Sequence, residues 1–307
     1  MNVAAVHMKA VLGDVKYNLQ YAKNKIIEAK SNGAEMIIFP EFFTTGFTFS
    51  EKIITAIATM ENPFEVMKAW AKDFDIIIGG SSLFFNGKDV HNTFALVFPS
   101  GEGYYHSKDI ATALENYCYV DGDENNVFET PIGNIGVVMC WEQLRYDTLR
   151  RMVNRNVNLI VGGSCWWSIV DSDIQGDNIL KEYSKKLAQV APINISKIMK
   201  VPIVHASFNN KFMGRSFPDG SKEEEREILS PSIITNGKGE ILEKVDYYQE
   251  EKLLIDDIDI SKTSKTVIDS NKYWIADFPE EFTKMFFYIN EKCRKFYDNV
   301  TIKKLVK

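Results

Sequence analysis

The chain has 307 residues, 45% hydrophobic and 25% charged, with a formal net charge of −6. That is enough chain for two average domains or one large α/β domain, with a sizeable core, and the acidic balance excludes the broad basic surface that a nucleic-acid partner would need. Four scattered cysteines without a C-x-x-C, and four histidines without zinc-type spacing, predict reduced thiols, a cytoplasmic chain, no disulfide framework and no metal site.

The opening segment MNVAAVHMKAVLGDV has no basic leader, and His7, Lys9 and Asp14 break its apolar run. It predicts a strand over 3–8, not a signal peptide. NLQYAKNKIIEAKSNG puts Leu19, Ala22, Ile26 and Ala29 on one helical face and stops at Gly33. MIIFP (36–40) and IIIGG (76–80) read as buried strands, with PFEVMKAWAKDFD as a helix between them. Residues 81–107 carry turn signals at Asn86-Gly87 and Ser100-Gly101, which predicts a hairpin or meander. IGVVMC (135–140), the helix-like EQLRYDTLRRMVNRN, NLIVGG (158–163) and VPIVHAS (201–207) continue the alternation. GSKEEEREI (220–228) predicts a solvated loop. SPSIITNGKGEILEKV predicts strand, turn, strand, and a third strand follows. No run of about 18 uncharged apolar residues occurs, so no membrane span is expected. One α/β domain over 1–260 with a helical tail over 261–307 is the expected organisation. The aromatics of PEEFTKMFFYINEKCRKFYDNV would pack on that domain or on another subunit.

Polar residues at the ends of apolar strands are the candidates for function. Glu41 follows MIIFP, Lys108 follows an aromatic strand in GYYHSKDIATALE, Glu115 comes seven residues later, and Cys140 ends IGVVMC. Each alone is open to a plainer reading: a salt-bridged carboxylate, a surface lysine, a glutamate facing water, a buried packing thiol.

FPEFF, SKDIATALE and MCWEQLRYDTLRRM, in this order and at these distances, resemble the nitrilase superfamily of carbon–nitrogen hydrolases. The resemblance spans roughly residues 2–257. It implies a four-layer α–β–β–α sandwich, paired as a homodimer or higher homo-oligomer. It also implies Glu41 as general base, Lys108 as the cation that steadies a tetrahedral intermediate, and Cys140 as nucleophile. Glu115 would position substrate and lysine, the Trp141 backbone N–H would help hold the oxyanion, and Trp166, with Ser164 and Trp167, would line the acyl pocket. Trp166 and Trp167 are equally readable as plain core, and Cys165 as a bystander. The implied reaction is hydrolysis of a small amide or N-carbamoyl amine through a cysteine thioester, without metal or organic cofactor. Two alternatives stay open: a nitrilase giving acid and ammonia, because Cys-Trp-Glu occurs in nitrile-cleaving members, and an inactive member acting as a binding module. Arg145 stands where the family often carries arginine, to pair with a carboxylate near the site or to lie on a helix surface. The segment from SIVDSDIQGDN through the following helix lacks the family's usual arginines, so the acyl group is not readable there.

Overall fold

The computed structural model describes residues 1–122, 125–173, 178–216, 220–261 and 280–306. β1 (Asn2–Met8) runs between β2 (Met36–Ile38) and β14 (Lys252–Asp257), parallel to the first and antiparallel to the second. β3 (Ile77–Phe85), β4 (Val90–Val97) and β5 (Gly103–Ser107) extend this sheet beyond β2. The β3–β4–β5 meander turns where Asn-Gly and Ser-Gly predicted it, with Gly87 and Gly101 at φ 96° and 90°. A second sheet runs through β6 (Val127–Thr130), β7 (Gly133–Met139), β8 (Leu159–Gly163), β9 (Ile203–Phe208), β12 (Ser232–Thr235) and β13 (Ile241–Val245). A two-residue parallel pairing of His7 with Ser207 and Met8 with Phe208 joins the two sheets.

The period-2 alternation of the strands assigns each residue to a layer. Val3, Ala5, Met36 and Ile38 face inward and meet Val137, Met139, Leu159, Val161 and Val204 of the second sheet. Ala4 and Val6 face the other way, onto Ala22, Ile26 and Ala29 of α1 (Val15–Ser31), beside α2 (Glu51–Thr59) and α3 (Pro63–Phe74). On the far side Val138, Ile160 and Ile203 pack against α4 (Tyr146–Asn154) and α5 (Asn178–Met199) through Leu149, Met152, Ile195 and Met199. The result is the expected α–β–β–α sandwich. Among the described residues no helix is long and apolar enough to cross a membrane.

The charge run 220–228 is not a solvated loop. Glu223–Glu227 form β11, paired antiparallel with β10 (Lys211–Arg215), and Arg226 is 2% exposed. Its guanidinium makes a two-pronged ion pair with Asp173, 2.6 and 2.9 Å, so the partner that buries it lies 53 residues earlier and was not visible locally.

α6 (Glu280–Phe296) closes the chain against its own domain. Asn116 donates to Asn290 Oδ1 (3.1 Å) and Arg294 donates to Asn116 Oδ1 (2.9 Å). Beyond α6, the Val90 N–H donates to the Tyr297 hydroxyl (3.0 Å), and Thr301 donates to the Tyr117 carbonyl. Most of the segment that would link the expected domain to this tail, 262–279, lies outside the described residues.

Candidate active site

The four sequence candidates converge. Glu41 stands three residues past the end of β2, Lys108 directly follows β5, Glu115 lies in a single 3-10 turn (Ala113–Tyr117), and Cys140 directly follows β7. Cys140 opens another 3-10 turn (Cys140–Leu144) with φ 48°. That left-handed backbone costs a non-glycine residue roughly 1–3 kcal/mol. Six described non-glycine residues have such a φ. Asp75, Asn156 and Lys200 follow the ends of α3, α4 and α5, where helices commonly stop this way. The other three are Phe42, Ala113 and Cys140, each in or within two residues of a candidate. Strain is therefore concentrated at the site.

All four side chains are buried, at 0–1% exposure. Lys108 Nζ donates to Glu41 Oε1 at 2.9 Å and to both oxygens of Glu115 at 2.8 and 2.9 Å. Glu41 also accepts from Asn92 Nδ2 (2.8 Å) through Oε1 and from the Cys165 backbone N–H (2.9 Å) through Oε2. Glu115 accepts the Thr112 N–H (2.6 Å) and the Tyr119 hydroxyl. One ligand atom each of Glu41, Glu115 and Cys140 lie within 4.8 Å of one another. The Lys108 ammonium already bridges the two carboxylates, so the set reads as an organic charge cluster and not as a cation cradle.

Two carboxylates and one ammonium leave the cluster at one net negative charge. Burial pushes the Glu41 carboxyl up and Glu115 adds to it, against the pull of Lys108. Burial also opposes the Lys108 ammonium, but Glu115 and Glu41 outweigh it and hold the lysine charged well above its ordinary range. Cys140 is pushed up, first by burial and then by Glu41. A resting thiolate would add a second uncompensated charge to a dry cluster, so the resting group is the thiol, beside a carboxylate whose basicity burial has raised.

A second ring of contacts sets the turns. Glu142 Oε1 accepts from His106 Nε2 (2.8 Å) and the Asp109 N–H (3.0 Å), and its Oε2 accepts the Met139 N–H (2.9 Å). Burial opposes its ionisation, yet His106 and these donors hold it down to about 2. It ties the β7 turn that carries Cys140 to the β5 turn that carries Lys108. Arg145 pairs with Asp109, next to Lys108, and reaches Thr112 Oγ1 (3.3 Å), so the carboxylate partner expected for it is present.

The Trp141 and Trp166 rings lie 5.1 Å apart, tilted at 35°, and Trp166 packs with Cys140 in one buried cluster. Trp167 stacks on Phe47 at 5.5 Å. All three indoles line one cavity with Thr112, Ala113 and Leu114. Ser164 does not join them; it bonds Gln143 Nε2 (3.0 Å) and His205 Nε2 (2.8 Å). Cys165 is more than a bystander, because its N–H holds Glu41. Sequence reasoning missed Asn92 and Tyr119. Asn92 was the findable one: it is a buried amide on the strand VHNTFALV.

Comparison with known proteins bears on the family and the fold. The model of the carbon–nitrogen hydrolase family matches residues 2–267. A bifunctional nitrilase/nitrile hydratase of Nicotiana tabacum is 26% identical over 166 residues, 46% of this chain and 47% of that protein. Nitrilase 2 of Arabidopsis thaliana is 26% identical over 159 residues, 45% and 47% of the two chains. The matched region thus spans about half the length of these curated relatives. Among solved structures, a carbon–nitrogen hydrolase from Helicobacter pylori superposes with a TM-score of 0.72 at 16% identity, covering 85% of this chain and 89% of that one. An amidase from a Nesterenkonia species gives 0.62 at 15% identity, covering 83% and 89%. At such identity these structures speak to the fold alone.

Proposed function

The chain belongs to the carbon–nitrogen hydrolase family, and from that premise we propose that it hydrolyses a small amide or N-carbamoyl amine through a thioester on Cys140. The observation that carries the reading is the buried Lys108 ammonium held between Glu41 and Glu115, beside a thiol on a strained turn.

Glu41 takes the Cys140 proton as sulfur attacks the carbonyl carbon. The charge that Glu41 loses on taking the proton reappears on the carbonyl oxygen, so the cluster keeps its single net negative charge throughout. Lys108 and the Trp141 backbone N–H meet that oxyanion, and each such donor is worth about 2.7–4 kcal/mol in a dry site. The C–N bond breaks as Glu41 returns the proton to nitrogen, and ammonia or amine departs. Water then enters, Glu41 takes one of its protons, and hydroxide oxygen attacks the thioester. The C–S bond breaks, the acid leaves, and Glu41 gives its proton back to sulfur. Glu115 takes no proton; it holds Lys108 at the angle the oxyanion needs.

A second reading, nitrile hydrolysis, is favoured by two observations: the curated relatives quoted above carry nitrilase names, and Cys140 is followed by Trp141-Glu142. It uses the same thioester. Incubation with amide–nitrile pairs of one acyl group separates the two, by ammonia release and by intact mass of the acylated enzyme. Ammonia from amides with a Cys140 acyl adduct supports the leading reading. Turnover of nitriles alone supports the second, and turnover with no adduct on Cys140 removes the thioester.

A further inference from the structure

The donors that hold Glu41 are not shared evenly between its two oxygens. Among the described residues, Oε1 accepts from Lys108 Nζ (2.9 Å) and from Asn92 Nδ2 (2.8 Å), whereas Oε2 accepts from the Cys165 backbone N–H alone (2.9 Å). A carboxylate offers two acceptor sites on each oxygen. Both sites of Oε1 are therefore taken, and the open one lies on Oε2. Asn92 is 1% exposed, so bulk water does not compete for its place. The same residue also grips the lysine: the Asn92 backbone carbonyl accepts the Lys108 backbone N–H (2.8 Å). One position on β4 thus fixes the base through its side chain and the cation through its main chain.

Lys108 has three N–H hydrogens, and at rest all three are committed to Glu41 and Glu115. To meet an oxyanion, Nζ must release one of them. Glu41 is the partner it releases, because a carboxyl neutralised by the Cys140 proton holds an ammonium less strongly than the ionised Glu115 does. Without Asn92, Glu41 Oε1 would then be a buried acceptor with no donor, which is costly.

We propose that Asn92 is a positioning residue for the proton transfer: by occupying Glu41 Oε1 it leaves Oε2 as the oxygen that takes the Cys140 proton, and it keeps Oε1 bonded while Lys108 turns a hydrogen to the oxyanion. The S–H bond breaks, the O–H bond forms on Oε2, and the sulfur pair goes to the substrate carbon. The inference rests on Cys140 as nucleophile and Glu41 as its base.

Its test reads Glu41 with and without turnover. The infrared C=O band of the protonated carboxyl, identified by its loss in Glu41→Gln, reports protonation directly; the acid limb of kcat/KM reports it during catalysis. The ionisable groups facing Glu41 are Lys108, Glu115, Tyr119, Cys140 and Cys165, and changing Asn92 alters none of them. Asn92→Leu fills the space and removes the donor. A donor to the ionised form lowers a carboxyl's pKa, so its loss should move the band midpoint and the acid limb up by about one to two pH units, and lower kcat by about ten- to a hundredfold. Asn92→Ala leaves room for about one water, which can donate to Oε1, so it should shift both by less than Asn92→Leu. A packing role predicts the reverse order in kcat and no shift in the midpoints. Asn92→Val, donor-free and smaller, guards against a leucine variant that thermal melts show to be misfolded. Midpoints within about 0.3 pH unit of wild type in the folded donor-free variants overturn the proposal, as does a larger shift in Asn92→Ala than in both of them. If the midpoints move in the expected order but no amide or nitrile is turned over, the hydrolase reading fails and the hold of Asn92 on Glu41 stands. If substrate acylates Cys140 while the midpoints stay in place, the hydrolase reading stands and the role of Asn92 falls.

Discussion

In the proposed mechanism Cys140, Lys108 and Glu41 act on one proton and one charge, so each substitution should fail in its own way. Cys140→Ala removes the atom that forms the bond. It should lower kcat by about 10⁶, as loss of a nucleophile does elsewhere, with the fold intact because a small buried side chain is exchanged for a smaller one. Lys108→Met keeps the stem and loses the charge. It should cost roughly 10²–10³ in kcat with little change in ground-state binding. Two buried carboxylates are then left 2.8–2.9 Å from where their shared cation stood, so this variant should also melt lower than wild type. Steady-state kinetics beside a thermal melt reads both; an unchanged kcat in a folded Lys108→Met protein would end the triad assignment. The acid limb of kcat/KM follows Glu41. Its carboxyl is raised by burial, so activity should fall on acidification at a pH above the ordinary carboxylate range of about 4.3. A limb at or below that value would show a solvated base. Three of the residues in these tests were visible in sequence because polar groups at the ends of apolar strands stand out. Asn92 and Tyr119 were not singled out, because a lone amide in a strand and a tyrosine in a loop have many ordinary uses.

Elements place these residues by approaching closer than side chains allow. β8 passes the Glu41 turn at Gly163, where an added Cβ would lie 2.7 Å from the Glu41 nitrogen and 2.8 Å from the Pro40 Cα. Those are backbone atoms and cannot swing aside. Gly163→Ala should therefore push Glu41 off its position and cost about 10² in kcat, the effect of a misplacement near 1 Å, while the protein stays folded with a stability loss of about 1–3 kcal/mol. Normal kcat in that variant would free the Glu41 turn from β8. The β10–β11 ribbon makes a second case. If Arg226 were the solvated charge its sequence context suggests, Arg226→Met would change stability by under about 0.5 kcal/mol. Buried against Asp173, its loss leaves an unpaired buried carboxylate and should cost about 3–5 kcal/mol, measured by urea unfolding. Elements with a strong period, such as α1 and β7, were legible locally. The ribbon was not, because the residue that makes Arg226 a core residue is distant in sequence.

At the scale of the whole molecule, the two-sheet architecture was legible because strands buried on both faces read as continuous apolar runs. The join between the sheets was not, since two paired residues leave no sequence period. That join and its neighbours carry buried histidines, and these give the molecule a pH dependence of stability. His7 on β1 lies 3.0 Å from Ser232 Oγ, and burial lowers it to about 4 against the weaker opposing pull of Gln249 and Asp246. His205 on β9 is lowered by burial to about 4; its Nδ1 faces the Pro231 carbonyl (3.1 Å) and so carries the hydrogen, while Nε2 accepts from Ser164. Both are neutral when folded, and in the unfolded chain both titrate near 6.5. Below 6.5 the unfolded state therefore binds protons that the folded state refuses. Stability is fully present above that pH and falls as pH drops toward 4, by up to about 1.4 kcal/mol per pH unit for each histidine. Glu142, held at about 2, acts in the same direction but in a lower window, below its unfolded value near 4.3. The raised carboxyl of Glu41 acts in the opposite direction, so the total slope mixes several groups. A difference isolates one of them. His205→Gln removes a single titration and keeps an amide that can bond Ser164. Urea unfolding from pH 7 to 4.5 should give the variant a shallower loss than wild type below 6.5, with parallel curves above it. Equal slopes throughout would mean that His205 is protonated in the folded protein, and the polar cluster of Gln143, Ser164 and His205 would then have to be built around a cation.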